Sequence, residues 1–65
     1  MKNLKSVYAV YVSPLAIELR SKEQAALAHG RLVCKQTNYS SILRFARNLA
    51  LHHRLPLHNY VQAEA

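Results

Sequence analysis

Three arginines lie along the segment TNYSSILRFARNLALHHR, which spans residues 37–54. At helical spacing, Arg44, Arg47 and Arg54 fall on one face together with Leu51. The segment contains no acidic side chain that could neutralise them. Guanidinium groups form strong, charge-assisted hydrogen bonds with phosphates and carboxylates. The chemistry that this spacing predicts is therefore the binding of an anionic partner.

An amphipathic helix must position these arginines. Thr37 or Asn38 can cap its first turn, because a short side-chain oxygen accepts hydrogen bonds from the amides there. Pro56 follows soon after, where a helix can no longer continue. An apolar stripe recurs at helical spacing and consists of Ile42, Phe45, Ala46, Leu49 and His53. The sequence therefore predicts a helix from about residue 39 to residue 54.

The basic character extends over the chain. Nine Lys and Arg residues against three acidic ones give a formal net charge of +6 and a pI near 10. No acidic residue occurs between Glu23 and Glu64. Such a field of one sign attracts polyanions, and nucleic acid is the first candidate, with an acidic protein surface as a further one. A membrane surface ranks last, because the basic helix has no Trp and a single Phe.

Size and cysteine content limit how the chain can be stabilised. At 65 residues it can form one small domain whose own core is marginal. Cys34 is the only cysteine, so no disulfide can form within the chain. We therefore expect a homodimer to supply stability, and a lone thiol favours the reducing cytoplasm. No apolar run approaches the ~20 residues that span a bilayer.

Chemistry other than binding has little basis in the sequence. The four histidines lack the spacing of a metal site, and neither paired carboxylates nor a glycine-rich phosphate loop occurs. Glu18 and Glu23 lie among helix formers and are expected to be solvated. Cys34 has no neighbouring group that would activate its thiol. We therefore predict no enzymatic activity, no cofactor and no metal.

The N-terminal segment, residues 5–12, predicts a strand. Its side chains are mostly β-branched or aromatic, the types that fit a pleated sheet. Both faces of the segment are apolar, so the strand needs burial on both sides or pairing with another chain.

Residues 14–34 predict a first helix. Ser13 can cap it, Pro14 suits its first position, and strong helix formers follow. Two signals compete: Leu15–Leu19 alternates as a strand does, and Ser21 with Gln24 forms a capping box for a helix that begins only there.

Gly30 and the C-terminal tail complete the predicted fold. Gly30, the only glycine, either ends the first helix or lets another backbone approach closely. Residues 55–65 have little periodicity and are expected to be loosely ordered. The predicted fold class is a small, mostly helical α+β domain of order β-α-α that forms an intertwined dimer. The alternative is an all-α helical hairpin.

A strand followed by two helices in a short basic chain resembles the ribbon-helix-helix family of DNA-binding proteins, and TNYSSILRFARNLAL resembles that family's second helix. The resemblance implies that the strand pairs with its dimer mate and lies in the major groove. It also implies a phosphate clamp at Thr37, Asn38, Tyr39 and Ser40. The dimer core would consist of Val7, Val10, Val12, Ile42, Phe45, Ala46 and Leu49.

These observations lead to two functional hypotheses. The first is a homodimeric DNA-binding protein that acts as a transcriptional regulator or accessory factor. Its contacts with nucleic acid would come from the clamp and from Lys5, Arg31, Lys35, Arg44, Arg47 and Arg54. The second is a small inhibitor or adaptor of the phage or plasmid type, which binds a host protein through its strand edge and basic helix.

Overall fold

In a computed structural model of the chain, which describes residues 6–61 and only the backbone of Glu23, four strands form one mixed sheet with an α-helix on one face. The strands are β1 (Tyr8–Val12), β2 (Ile17–Ser21), β3 (Arg31–Gln36) and β4 (Leu57–Asn59). The helix α1 spans Tyr39–His53, and a 3-10 helix spans Lys22–Leu27. The strand order across the sheet is β3-β1-β2-β4.

β1 lies inside the sheet because both of its faces are apolar. It pairs antiparallel with β2 and with β3, so that Val10 stands between Leu19 and Cys34. Its central residues, Ala9–Tyr11, are buried, as expected of a strand that is covered on both faces. The predicted strand at 5–12 is confirmed over Tyr8–Val12, while residue 5 lies outside the described residues.

The hydrophobic core lies between the sheet and α1. Its buried members are Val10, Ile17, Leu19, Ile42, Ala46 and Ala50. Alternate residues of β1 and β2 point toward α1, and the core residues of α1 recur every four positions. Full burial of one aliphatic side chain contributes about 1.5–3 kcal/mol. The contacts of Ile42 with the sheet therefore fix α1 in place.

α1 connects the two edges of the sheet. β2 and β3 are both antiparallel to β1, and β4 is parallel to β2, so β3 and β4 run in the same direction. The chain leaves β3 at one edge, crosses over the sheet as α1 and returns as β4 at the other edge. This crossover covers one face of the sheet with α1. The 3-10 helix packs on β1 and β2 over part of the opposite face.

The predicted first helix, residues 14–34, is wrong. The stretch contains β2, the 3-10 helix and β3. Pairing with β1 overrides the helix propensity of its residues, because Ile17 and Leu19 reach the core only as alternate residues of a strand. The later helix start at Ser21 is found, where Gln24 Oε1 accepts a hydrogen bond from the Ser21 amide at 3.0 Å. That helix is a short 3-10 turn.

The predicted order β-α-α is therefore corrected to a four-stranded sheet with one α-helix, and the all-α alternative is also wrong. β1 is paired on both sides within the chain. It is consequently not free to form the ribbon between subunits that the ribbon-helix-helix resemblance implies, so the intertwined dimer loses its basis.

The second predicted helix, residues 39–54, is confirmed as α1 at Tyr39–His53. Asn38 caps its first turn, and Arg54 ends it in the left-handed conformation with φ 57°. The tail, which we expected to be loosely ordered, contains β4 instead. The reason is that Leu57 packs against the core and β4 pairs with β2.

Gly30 allows two backbones to approach closely, the second of the two roles predicted for it. A Cβ atom at Gly30 would lie 2.5 Å from the carbonyl carbon and oxygen of Val12 and 2.9 Å from the nitrogen of Ser13. β3 begins directly after Gly30 and pairs with the end of β1. A side chain at this position would push the two strands apart.

Candidate functional site

The solvent-facing side of α1 carries two arginines. We call it the outward face, and its residues are Ser40, Arg44, Arg47 and Leu51, which are all exposed. They lie opposite Ile42, Ala46 and Ala50, which bind α1 to the sheet. Leu51 is 78% exposed, so nothing in the described chain covers this face. A firmly packed helix thus presents Arg44 and Arg47 to solvent side by side.

The positive charge of the outward face is not neutralised by acidic side chains on α1 or β3. The described ion pairs involve Glu18, which contacts Arg20 and His29 on the other side of the sheet. The chain contains no acidic residue between Glu23 and Glu64. The charges of Arg44 and Arg47 therefore have no carboxylate on α1 or on β3 to neutralise them, and their field extends into solvent.

The first turn of α1 is partly occupied by the protein itself. Asn38 Oδ1 accepts a hydrogen bond from the Ser41 amide at 3.0 Å. Tyr39 turns inward: its ring packs edge-on against Tyr8 at 5.4 Å, and its hydroxyl accepts a hydrogen bond from Asn59 Nδ2 at 2.8 Å. Thr37 and Ser40 are exposed. Of the four predicted clamp residues, Asn38 and Tyr39 therefore have structural roles.

A second basic region lies on β3, which forms one edge of the sheet. Arg31 and Lys35 are exposed there, and so are Leu32 and Val33, at 46% and 42%. β3 pairs with β1 along one side, and its register shifts at a bulge between Val10 and Tyr11 of β1. Its other side has no neighbouring strand in the described structure, so backbone amides and carbonyls there are open to a partner.

Beside β3, a groove opens on the face of the sheet opposite α1. Its volume is about 450 Å³, and it lies between β3 and the 3-10 helix. Tyr11 and Leu32, which are cross-strand partners, contribute apolar surface. The basic residues Lys22 and Lys35 also line it. The remaining lining residues are Val7 and Ala25. We call this cavity the lysine groove.

A buried ion pair occupies the same face of the sheet on β2. Glu18 and Arg20 are 4% and 5% exposed, and Arg20 Nε donates to Glu18 Oε1 at 2.7 Å. The Arg20 guanidinium stacks over the Tyr60 ring at 3.9 Å from its centroid. The His29 amide also donates to Glu18, at 3.3 Å. The expectation that Glu18 is solvated is therefore wrong.

The environment of Glu18 favours its ionised form. Burial alone would raise the pKa of this carboxyl. Hydrogen bonds from Arg20 and from the His29 backbone, together with the Arg20 charge, outweigh burial and hold the pKa of Glu18 below its ordinary value of 4.5. The pair is thus a charged structural element. Its polar contacts in the described structure are made within the chain, to His29 and Tyr60 as well as between the two side chains.

The described residues that were predicted to contact nucleic acid lie in three places: the outward face of α1, the end of α1, and β3. Arg44 and Arg47 come together with Ser40 on the outward face, and Arg54 follows at the end of α1. Arg31 and Lys35 lie on β3 instead, where Arg31 lines a cavity with His53 and Leu55 near the end of α1. Lys5 lies outside the described residues.

The residues predicted for a dimer core are distributed within one chain. Val10, Ile42 and Ala46 are buried in its own core, and Val12 and Leu49 pack against that core. Val7 lines the lysine groove, and Phe45 remains 36% exposed on α1. Sequence reasoning missed Lys22 as a surface cation of this groove.

Comparison with known proteins identifies no relative: no family model, no curated protein and no solved structure matches this chain. Across residues 6–61, no helix has the length and apolar character needed to cross a membrane. In the same described range, no three His, Cys, Asp or Glu side chains come together in a way that could hold a metal ion.

Proposed function

We propose that this protein binds nucleic acid, with duplex DNA as the first candidate, through the outward face of α1, and that it acts as a regulator or accessory factor. The observation that carries this proposal is the pair Arg44 and Arg47: both are exposed on one face of a well-packed helix, and no carboxylate lies near them in the sequence. The lone thiol of Cys34 supports a cytoplasmic location as part of the same proposal.

The physical basis is the release of counterions from the phosphate backbone. Each phosphate that a Lys or Arg neutralises releases condensed cations, which favours binding and makes the affinity fall as salt rises. An α-helix also fits the width of the major groove. Ser40 and Asn48 are exposed polar residues on α1 that could accept or donate hydrogen bonds beside the arginines. Phosphate contacts would position α1, and these polar groups would supply any base readout.

We still propose a homodimer, because a single chain would make few contacts with phosphates. One helix face with two arginines supplies few phosphate contacts, and a second copy would double them. No surface of the described chain is assigned to the dimer contact. Its oligomeric state stays a prediction for measurement in solution.

The test is binding to a fluorescent random-sequence duplex at several salt concentrations between about 50 and 200 mM. We expect the wild-type affinity to fall steeply with salt. The double variant R44Q/R47Q should bind more weakly to all sequences and should flatten the logarithmic salt slope by about two for each bound chain, which is about four for a homodimer. K22Q/K35Q is the matched control, because it removes two cations from β3 and the lysine groove, and it should retain most of the slope. An affinity that ignores salt, or equal losses in the two variants, would contradict the proposal.

A further inference from the structure

We infer that β3 and the lysine groove form a docking site for an extended acidic segment of a partner protein, which would add to the sheet beside β3. This inference goes beyond nucleic-acid binding. It concerns a different surface, since β3 and the groove lie away from the outward face of α1.

The backbone of β3 supplies the first part of the site. β3 has six residues and pairs with β1 along one side only. The strand order places no neighbour on its other side within the described structure. An edge of this length can pair with an incoming extended chain through main-chain hydrogen bonds. A nucleic acid has no matching ladder of amides and carbonyls, so the edge favours a polypeptide.

The lysine groove supplies the second part. Alternate residues of a strand point to the same face of a sheet, so every second side chain of an added strand would face the side on which the groove lies. Leu32 is the apolar β3 residue on that side, next to the buried Tyr11. Apolar side chains of the partner would pack against these two residues. The exposed Val33 extends the apolar surface to the edge itself.

The basic residues of this site favour an acidic partner. Arg31 and Lys35 lie on β3, Lys22 lines the groove, and all three are exposed. A second copy of this chain would bring the same cations to the edge, because its own β3 carries Arg31 and Lys35 and no acidic residue. Like charges brought together across a strand pair destabilise it. An acidic segment would instead put carboxylates against these cations, and so it fits where a second copy does not.

The same features protect the edge when no partner is bound. Lysine side chains and β-bulges discourage indiscriminate pairing between sheet edges. β3 carries both, with Lys35 exposed and a register shift near its centre. They set a charge requirement for any strand that pairs there, which gives the site its specificity.

The inference is tested with a labelled synthetic peptide in which every second residue, on the face meant for the groove, is alternately Leu and Glu, with Thr between them, against a control peptide in which Lys replaces each Glu. Fluorescence anisotropy measures binding to the full chain. We expect the acidic peptide to bind and the basic one to fail. K35E should weaken binding at least about tenfold, the effect of 1.4 kcal/mol. R47E makes the same charge change on the outward face, and it should change the affinity less than about twofold.

Two further measurements identify the mode of binding. A version of the acidic peptide with N-methyl groups on alternate amides keeps its charge but cannot complete the ladder, so its binding should be lost. Amide NMR shifts caused by the unmodified peptide should concentrate on residues 31–36. Equal binding of acidic and basic peptides, equal losses in K35E and R47E, or no binding at about 1 mM peptide would overturn the inference. Dimers of the protein that form through β3 without peptide would also overturn it, in favour of a second copy.

Discussion

Arg20 Nε lies 2.7 Å from Glu18 Oε1, and both side chains are buried on the face of β2 that points away from α1. They share this face because they are two residues apart on one strand. Tyr60 covers the guanidinium, and the His29 amide donates to the carboxylate. Both charges have little access to bulk water, so each depends on the other.

Removing one member of this pair should destabilise the protein strongly. E18Q leaves the Arg20 charge buried without a counterion, and the free energy of unfolding should fall by about 3–5 kcal/mol. Chemical denaturation measures this loss. The double variant E18L/R20M removes both charges and keeps similar volume, so it should recover most of the stability. Failure of the double variant to recover would mean that the ion pair itself, rather than the avoidance of a lone charge, stabilises the fold.

The lowered pKa of Glu18 predicts how the stability of the fold changes with pH. The pKa of Glu18 in the folded chain lies below its ordinary value of 4.5. Its ionised form therefore stabilises the folded state at pH values above that ordinary value, and this contribution is lost as the pH falls through the folded-state pKa. Unfolding measured across the acid range should show the loss in the wild type. E18Q should show a flatter profile over the same range, and identical profiles would refute the assignment.

The packing of α1 on the sheet can be tested with two aliphatic residues of the same helix. Ile42 is fully buried, whereas Leu51 is 78% exposed. I42A should lower the free energy of unfolding by about 2–5 kcal/mol through lost burial and a cavity. L51A should change it by no more than about 0.5 kcal/mol. A large effect of L51A would instead reveal a contact on the outward face, such as a dimer interface.

Gly30 offers a test of the close approach between β3 and the end of β1. In G30A the new Cβ would meet the Val12 carbonyl at 2.5 Å. The strands must shift to relieve this clash, and a loss of about 1–3 kcal/mol is expected. A26S, an exposed change in the preceding segment, should leave stability within about 0.5 kcal/mol of the wild type. Thermal unfolding of the two variants compares them directly, and equal midpoints would contradict the geometry.

The part of the fold that the sequence predicted is the part governed by local signals. α1 has a capping residue at Asn38, an apolar stripe through Ile42 and Ala46, and Pro56 beyond its end. β1 has apolar side chains on both faces. These signals act within a few residues, so they can be recognised without knowledge of tertiary contacts.

The errors arose where tertiary pairing decides the structure. Residues 14–34 have high helix propensity, yet β2 and β3 gain more from pairing with the two sides of β1. The alternation of Leu15–Leu19 pointed to this outcome, as did the capping box at Ser21 and the close approach allowed by Gly30. Nothing local distinguishes a buried Glu18 from a solvated one, because its partner Arg20 shares its face only in a strand.

The candidate functional site likewise has a part that local sequence signals predict and a part that depends on tertiary structure. Arg44 and Arg47 could be placed together from helical spacing alone, and the structure has them together on α1. The separation of Arg31 and Lys35 from them depends on β3 being an edge strand. The lysine groove depends on the position of the 3-10 helix beside β3, which no local pattern in the sequence encodes.

The most direct test of the proposed function is to map duplex DNA on the uniformly ¹⁵N-labelled chain by amide NMR shifts at low salt. We expect shifts along the outward face of α1, at Ser40, Arg44, Arg47 and Leu51, that vanish in R44Q/R47Q while the rest of the spectrum stays unchanged. Shifts confined to β3 and the lysine groove, or no shifts with excess DNA, would contradict the proposed function.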